Sequence, residues 1–294
     1  PGRGPPPPRA RAAWPAPEPF VARAADGRRD VHGVVIKPYG FDPAKRYPVI
    51  ERIYGGMQAN NVPQGFPGID ADEYELMLAH FASQGFVVVL MDSPGTMGRG
   101  RAYFMERYGS WPDGIVADHA AALREIAKTR PWMDLDRVGI DGNSWGGMLA
   151  IRAGLEQPSL YKAIAASVPQ TDMRDIAWME SHLGTPAANP TAYDRGALPP
   201  RINELRVPLL LVAGTADVNV SIYNTHQLLD ALAEAGKPYD LVLFPGTNHG
   251  HEGRGDRYAY AIAAITRFFK RELGLPRVAT PSPAEAAAGT AGEP

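Results

Sequence analysis

A serine placed between glycines is the residue most able to do chemistry in this chain. The segment Gly142-Asn-Ser-Trp-Gly146 has the Gly-x-Ser-x-Gly pattern of a nucleophile elbow, a tight turn that exposes a reactive hydroxyl. Glycines two residues before and after Ser144 remove side chains that would collide in the strained turn. An apolar run from Val138 predicts a strand before the serine. An Ala/Leu-rich run predicts a helix after it, whose positive end favours a developing anion.

A serine hydroxyl is a weak nucleophile at neutral pH and needs a base. Asp217 and His249 each follow one of the last two predicted strands. His249 would accept the Ser144 proton and later deliver it to the leaving group, and Asp217 would orient the imidazole and stabilise its charged form. The order serine, aspartate, histidine along the chain is that of α/β-hydrolases.

Each assignment has an alternative. Asp217 could simply cap the helix that follows it. Asp230 and Asp240 are poorer acids for this role, because the first falls within a predicted helix and the second begins a strand. His251 is also carried by the loop, but His249 precedes the glycine at the strand exit and is favoured. The other histidines are interpreted as structural or surface residues: His32, His80, His119, His182 and His226.

A metal site at the two loop histidines lacks a carboxylate cluster beyond one nearby glutamate. The sequence contains no cysteine, which excludes disulfides, thiolate metal sites and a cysteine nucleophile. We therefore expect no metal and no cofactor.

Acyl transfer also requires donors for a tetrahedral oxyanion. The backbone N–H of Trp145, directly after the nucleophile, is one candidate. The Tyr54 hydroxyl is another, since Tyr54-Gly-Gly56 follows an early predicted strand. The alternative for Tyr54 is an aromatic strand residue that packs in the core.

The elements around these residues alternate between strand and helix. Apolar runs predict strands at 20–24, 31–36, 48–54, 86–91, 163–168, 208–213 and 239–244, besides the one before Ser144. Helices are predicted at 71–83, 114–129, 172–182, 221–235 and 256–273, besides the one after Ser144, and 185–206 is predicted as a proline-punctuated loop. This alternation predicts an α/β class fold with an open, mostly parallel sheet covered on both faces.

Composition limits the function classes. The formal net charge of −2 and the pI near 6.4 give no electrostatic reason to expect nucleic acid as a partner. No apolar run approaches the length of a membrane span, and no signal peptide is visible. We expect a Pro-rich linker at 1–18, a catalytic domain at 19–275 and a disordered low-complexity tail at 276–294.

Several motifs occur together in one order. They are Ile53-Tyr-Gly-Gly56, Asp92-Ser-Pro-Gly-Thr96 with Gly98-Arg-Gly100, Gly142 to Gly147, Gly214-Thr-Ala-Asp217 with Asn219-Val220, and Asn248-His-Gly250. In this joint pattern the chain resembles the catalytic domain of the prolyl oligopeptidase family of serine peptidases, with the dipeptidyl peptidase IV branch most similar. The resemblance runs from about Pro19 to Leu273.

The resemblance implies an α/β-hydrolase fold, a triad of Ser144, Asp217 and His249, and an oxyanion hydroxyl on Tyr54. It implies a peptide substrate, cleaved through an acyl-enzyme after proline or alanine by dipeptidyl peptidase or oligopeptidase action. It also implies a substrate pocket. The alternative for most of the pocket residues is that they simply pack in the hydrophobic core. The implied pocket residues are Trp145, Val168, Trp178 and Val220, with Asn219 near the substrate backbone.

The chain departs from the family pattern in two respects. Arg174 stands where the family pattern has one of two pocket tyrosines, and Trp178 stands where it has the other, so a strict proline preference does not follow. The resemblance also implies an upstream β-propeller domain that is missing from this chain, and a homodimer is a further expectation. The alternatives are an esterase or amidase on small acyl substrates and a non-catalytic binding module, which the intact triad disfavours.

Overall fold

The computed structural model describes residues 16–56, 59–62, 73–249 and 255–276. Most of the two predicted terminal segments, namely 1–15 and 277–294, lies outside the described residues, and so does His251.

The described residues form one eight-stranded sheet. Its strands are β1 Glu18–Arg23, β2 Asp30–Ile36, β3 Tyr47–Arg52, β4 Val87–Asp92, β5 Met133–Asn143, β6 Tyr161–Ser167, β7 Leu209–Gly214 and β8 Asp240–Phe244. The spatial order is β1-β2-β4-β3-β5-β6-β7-β8. Only the β1–β2 and β2–β4 pairs are antiparallel, so the prediction of a mostly parallel sheet is confirmed.

Eight α-helices accompany this sheet in the described part of the chain. They are α1 Glu73–Ser83, α2 Arg101–Phe104, α3 Ile115–Ala127, α4 Trp145–Glu156, α5 Glu180–Leu183, α6 Pro190–Gly196, α7 Ile222–Glu234 and α8 Asp256–Glu272. Apolar residues of α3, α4 and α7 join one core cluster, and those of α1 and α8 join the other. The sheet is therefore covered on both faces, which explains why every residue of β4 and β7 is buried.

Two predicted segments differ from the structure. The segment 185–206 is not a loop, because it contains α6 and a 3₁₀ helix at Pro199–Glu204. Each of these helices has a proline in its first turn, where the missing N–H costs nothing, so the prolines mark helix starts. The single helix expected at 172–182 is instead 3₁₀ turns at Met173–Asp175 and Ala177–Met179 followed by α5, because Ile176 between them is extended.

Close packing holds the strand that leads to the elbow. Phe269 of α8 is fully buried, and its ring lies over Gly139 of β5. A Cβ at Gly139 would stand 2.6 Å from the Phe269 ring, so the helix approaches the strand more closely than a side chain allows. The packing of the Phe269 ring against Gly139 thus fixes the position of the centre of β5.

We expect Phe269→Ala to lower the free energy of unfolding by about 3–5 kcal/mol, because it removes a buried ring and leaves a cavity. Arg267→Ala is the matched control, since Arg267 is exposed on the same helix and should change stability by less than about 0.5 kcal/mol. Urea unfolding followed by circular dichroism measures both. Equal stabilities of the two variants would contradict this role of the ring.

Candidate active site

Ser144 lies at the turn between β5 and α4 in a strained backbone conformation. Its φ is 56° and its ψ is −119°, a region that a residue with a Cβ rarely adopts. The Ser144 N–H donates to the carbonyl oxygen of Ser167 at 2.8 Å, and the Ser144 carbonyl oxygen accepts from the N–H of Gln170 at 3.4 Å. The end of β6 therefore holds the turn from the side.

The glycines beside the turn are required by close contacts. A Cβ on Gly142 would stand 2.1 Å from the carbonyl oxygen of Gly146, and one on Gly146 would stand 2.3 Å from the carbonyl oxygen of Ile53. Both distances are far below van der Waals contact. The steric reason for glycine at these two positions, predicted from the motif, is confirmed.

Asp217 and His249 meet in the loops that follow β7 and β8. Nδ1 of His249 lies 2.7 Å from Oδ2 of Asp217, and the two side chains are 14% and 1% exposed. Desolvation raises the pKa of Asp217, but the hydrogen bond from His249 and the N–H groups of Val220 and Asn219 outweigh it and leave that pKa below its ordinary value. The carboxylate stays ionised, which is the form that orients an imidazole.

The alternative role of Asp217 as a helix cap does not describe its contacts. Oδ1 of Asp217 accepts the backbone N–H groups of Asn219 and Val220, each at 2.8 Å. The helix itself begins later, and its capping side chain is Ser221, which accepts from the N–H of Tyr223 at 3.3 Å. Asp217 therefore shapes the loop with one oxygen and holds the histidine with the other.

Backbone contacts join the two loops that carry the acid and the histidine. The N–H of Ala216 donates to the carbonyl oxygen of Thr247 at 3.0 Å, and the N–H of Val218 donates to Oδ1 of Asn248 at 3.0 Å. Gly214 lets these loops approach, since a Cβ there would stand 2.3 Å from the Thr247 carbonyl oxygen. These contacts, one of which uses the Asn248 side chain, hold the loops of Asp217 and His249 together.

Parallel strands bring the three residues to one edge of the sheet. The strands β5, β6, β7 and β8 are consecutive neighbours and run in the same direction, so Ser144, Asp217 and His249 all follow carboxyl ends. Within the described ranges, Ser144 and His249 are not hydrogen-bonded to each other. Such bonds are often long in unliganded enzymes and tighten when substrate binds.

Two groups that can donate a hydrogen bond, on Tyr54 and Trp145, lie next to Ser144. Burial raises the pKa of the Tyr54 hydroxyl, and a hydrogen bond with the Ser144 side chain acts in the opposite direction. Tyr54 therefore remains protonated and able to donate next to Ser144. Trp145 is the first residue of α4, so its N–H has no acceptor within the helix and is available as the second donor.

The sequence-predicted pocket residues lie at different depths. Val168 is buried and has a φ of 41°, an unusual value for a β-branched residue, and it directly follows β6. Val220 is also buried, whereas Asn219 is exposed on the loop of the acid. Trp178 is 50% exposed and stacks on Trp145, with ring centroids 4.9 Å apart and planes 17° apart.

Two further aromatic residues join this stack, and sequence reasoning missed both. The Trp111 ring lies 4.3 Å from the Trp145 ring, and the His182 ring contacts Trp145 and Trp178 edge-on at 5.4 and 5.7 Å. The sequence alone indicates only a structural or surface role for His182 and assigns no role to Trp111. The Trp-Pro pair at Trp111 is the one local signal at this position, and it does not indicate which ring Trp111 contacts.

The charge of Arg174 is engaged by acidic neighbours. Its guanidinium forms ion pairs with Asp172, at 3.2 Å, and with Asp194, and lies 5.7 Å from the centre of the Tyr193 ring. Asp172 also caps the 3₁₀ turn that contains Arg174. Where the family resemblance predicts a tyrosine, the chain therefore has a guanidinium paired with carboxylates rather than an aromatic ring.

A family model described as the prolyl oligopeptidase family matches residues 73–276. The chain belongs to the prolyl oligopeptidase family. The family resemblance expected from the motifs is confirmed, and with it the α/β-hydrolase fold.

Related proteins agree with this family membership. The proteins named dipeptidyl peptidase 8 from Mus musculus and Homo sapiens are each 33% identical to this chain over 227 residues, which is 74% of its length. The match covers 25% and 24% of those proteins, so the chain spans about a quarter of the curated relatives' length. The crystal structure of Porphyromonas gingivalis dipeptidyl peptidase 4 superposes with a TM-score of 0.77 at 27% identity, covering 90% of this chain and 37% of that one.

The described residues also provide information about metal sites, membrane-spanning helices and other cavities. No group of three or more histidine, aspartate or glutamate side chains there could hold a metal ion, and no helix there has the length and apolar character to cross a membrane. A surface groove of about 680 Å³ is lined by residues that include Val207 and Lys237. It lies at the amino ends of β7 and β8, the sheet edge opposite Ser144.

We expect Tyr54→Phe to lower kcat by about 10²–10³-fold with little change in KM, because it removes one oxyanion donor. Tyr47→Phe is the matched control, since Tyr47 is the first residue of β3, at the end of that strand away from Tyr54, and its hydroxyl contacts Asp42. Steady-state hydrolysis of a chromogenic acyl substrate measures both. A Tyr54→Phe enzyme as fast as wild type would exclude this role.

We expect Asp217→Asn to lower kcat by about 10⁴-fold, because a neutral amide neither holds the productive tautomer nor stabilises an imidazolium. The amide oxygen can still accept from Asn219 and Val220, so the loop should keep its shape. The control is Asp230→Asn on the exposed face of α7, which should retain wild-type activity. Similar kcat values for the two variants would rule Asp217 out as the acid.

Proposed function

We propose that this chain is the catalytic domain of a serine peptidase that hydrolyses peptide bonds through an acyl-enzyme. The observation that carries the proposal is the hydrogen bond between His249 and Asp217 at the same sheet edge as the strained Ser144. Family membership and relatives named dipeptidyl peptidases support the same activity.

In the first half-reaction, His249 accepts the Ser144 proton as the serine oxygen attacks the scissile carbonyl. The bond to the amine breaks, and the imidazolium passes its proton to the leaving nitrogen. Water, activated by His249, then attacks the acyl-serine ester and releases the carboxylic acid. The Tyr54 hydroxyl and the Trp145 N–H donate to the oxyanion formed in both halves.

We propose that the acyl group leaves as a dipeptide ending in a small or apolar residue. The Trp145–Trp178 stack with Val168 and Val220 supports an apolar pocket for the side chain before the cut bond, and Asn219 would meet the substrate backbone. The family resemblance implies that Arg174 replaces a pocket tyrosine, which favours tolerance of alanine as well as proline. The relatives named dipeptidyl peptidases favour a post-proline or post-alanine dipeptidyl peptidase over internal cleavage.

The whole protein's partners also belong to this proposal. We propose, on the family resemblance, an upstream β-propeller domain that would restrict access to Ser144; the match covers only about a quarter of the relatives' length, which leaves room for such a domain. A homodimer is proposed on the family resemblance. Reading the coding sequence upstream tests the first of these, and sedimentation of the full-length protein tests the second.

We expect Ser144→Ala to abolish labelling by a fluorophosphonate probe, because the probe bonds only to an activated serine. Ser83→Ala, an exposed serine at the end of α1, should be labelled like wild type. Labelling that persists in Ser144→Ala would refute the nucleophile.

A substrate panel separates the peptidase from the esterase alternative. X-Pro and X-Ala p-nitroanilides, an internally cleavable peptide and simple p-nitrophenyl esters should be assayed in parallel on the full-length parent. Release of dipeptides from the first two is expected. Turnover confined to the esters would favour an esterase.

A further inference from the structure

A buried ion pair connects the strands that carry Tyr54 and Ser144. Arg52, the last residue of β3, is in register with Asp141 of β5. Its Nη1 donates to Oδ2 of Asp141 at 2.5 Å, and its Nη2 donates to Oδ1 of Asn143 at 2.9 Å. Because Asn143 directly precedes Ser144, the guanidinium contacts β5 up to the residue beside the nucleophile.

The backbone around Arg52 is held on both sides. The N–H of Ile53 donates to the carbonyl oxygen of Asp141 at 2.9 Å, which ties the strand exit to β5. The Arg52 carbonyl oxygen accepts from Nδ2 of Asn61 at 2.8 Å, and the N–H of Asn61 donates to Oδ1 of Asp92 at 2.6 Å. The segment that leads to the oxyanion tyrosine is thus anchored between β5 and β4.

Stability alone does not account for this ion pair. Arg52 is 4% exposed and Asp141 is fully buried, so both charges are removed from water. The desolvation penalty of such a pair can exceed its attraction, and an apolar pair of similar volume is often as stable or more stable. The second carboxylate oxygen of Asp141 has no hydrogen-bond partner in the described part of the chain. What the guanidinium adds is a rigid planar fork that fixes geometry.

The charge of Arg52 also acts on the oxyanion donor. Burial raises the pKa of the Tyr54 hydroxyl, whereas the positive charge of Arg52 acts to lower it. A hydroxyl whose ionised form is favoured donates a stronger hydrogen bond to an anion.

We propose that Arg52 is a positioning residue for acyl transfer: its guanidinium, bound to Asp141 and Asn143, holds the Tyr54 strand exit against the Ser144 turn. The proposal rests on the proposed function of Ser144 and Tyr54. Arg52 acts through these two residues rather than on the substrate.

The chain offers a matched control pair. Arg46 directly precedes β3 and contacts Asp134 of β5 at 2.8 Å, so this pair also joins the two strands, but at their amino ends. The Arg46 side chain is 57% exposed and lies far along the strands from Ser144. Removing charge from this pair alters the same strand contact without touching the catalytic edge.

The test compares two neutral pairs, Arg52→Gln/Asp141→Asn and Arg46→Gln/Asp134→Asn. Hydrolysis of p-nitrophenyl butyrate gives kcat and KM, and circular dichroism gives Tm. We expect the first pair to lose about 10- to 100-fold in kcat with KM changed less than about twofold, as for a small displacement of catalytic groups. The second pair should keep wild-type kcat. A folded first pair with wild-type kcat would overturn the proposal.

Arg52→Lys extends the test should the first neutral pair not fold. It keeps a positive charge beside Asp141 but loses the fork, so kcat should fall about fivefold or more. In a Tyr54→Phe background the same substitution should cost less than about twofold, because coupled residues are not additive. An unchanged kcat, or an equal loss in both backgrounds, contradicts the positioning role.

Fluorophosphonate labelling separates this proposal from the proposed function. A wild-type chain not labelled at Ser144 contradicts the serine mechanism itself. A labelled wild type with Arg52 variants of unchanged kcat contradicts only the role of Arg52.

Discussion

The site depends on holding Ser144 in a backbone conformation that the residue would not adopt by itself. Positive φ at a residue with a Cβ costs about 1–3 kcal/mol, and such a conformation persists only where its surroundings determine it. Here the surroundings are Gly142 and Gly146, which pack against backbone oxygens, and the end of β6, whose Ser167 accepts the Ser144 N–H. With the turn held, α4 begins at Trp145, directly after Ser144, and the Trp145 N–H has no acceptor within the helix.

The buried sheet separates stability from chemistry. Strands such as β4 and β7 are buried along their whole length and bury apolar surface on both faces. The loops at their carboxyl ends are then free to carry polar groups. Hydrogen bonds between the loops after β7 and β8 fix Asp217 relative to His249, so the catalytic spacing does not depend on side-chain packing alone.

Polar groups at the carboxyl edge are buried at an energetic cost that the apolar core outweighs. Arg52 and Asp141 lie on the α1 and α8 face, whereas Glu51, one residue earlier, points to the opposite face and contacts His119 at 2.7 Å. This alternation along β3 follows from the two-residue period of a strand. It places one buried charged contact on each face of the strand that leads to Tyr54.

Much of the fold and the candidate triad could be predicted because the signals are local. The apolar runs at 86–91 and 208–213 predicted strands, and the glycines around Ser144 predicted the elbow. The segments 172–182 and 185–206 could not be predicted correctly, because their helical pieces are too short for a helical period to show. A proline in these segments is compatible both with a loop and with the first turn of a helix, and only tertiary packing selects between the two.

The amino-acid sequence by itself determined the residue types, their order and the steric demands of the turn at Ser144, since these depend on neighbours along the chain. Tertiary structure alone decided which distant groups meet. The stacking of Trp111 and Trp178 on Trp145 and the pairing of Arg52 with Asp141 join residues tens of positions apart. Strand order and register determine which of these residues meet. Both depend on contacts across the whole sheet, so the local spacing of residues does not reveal them.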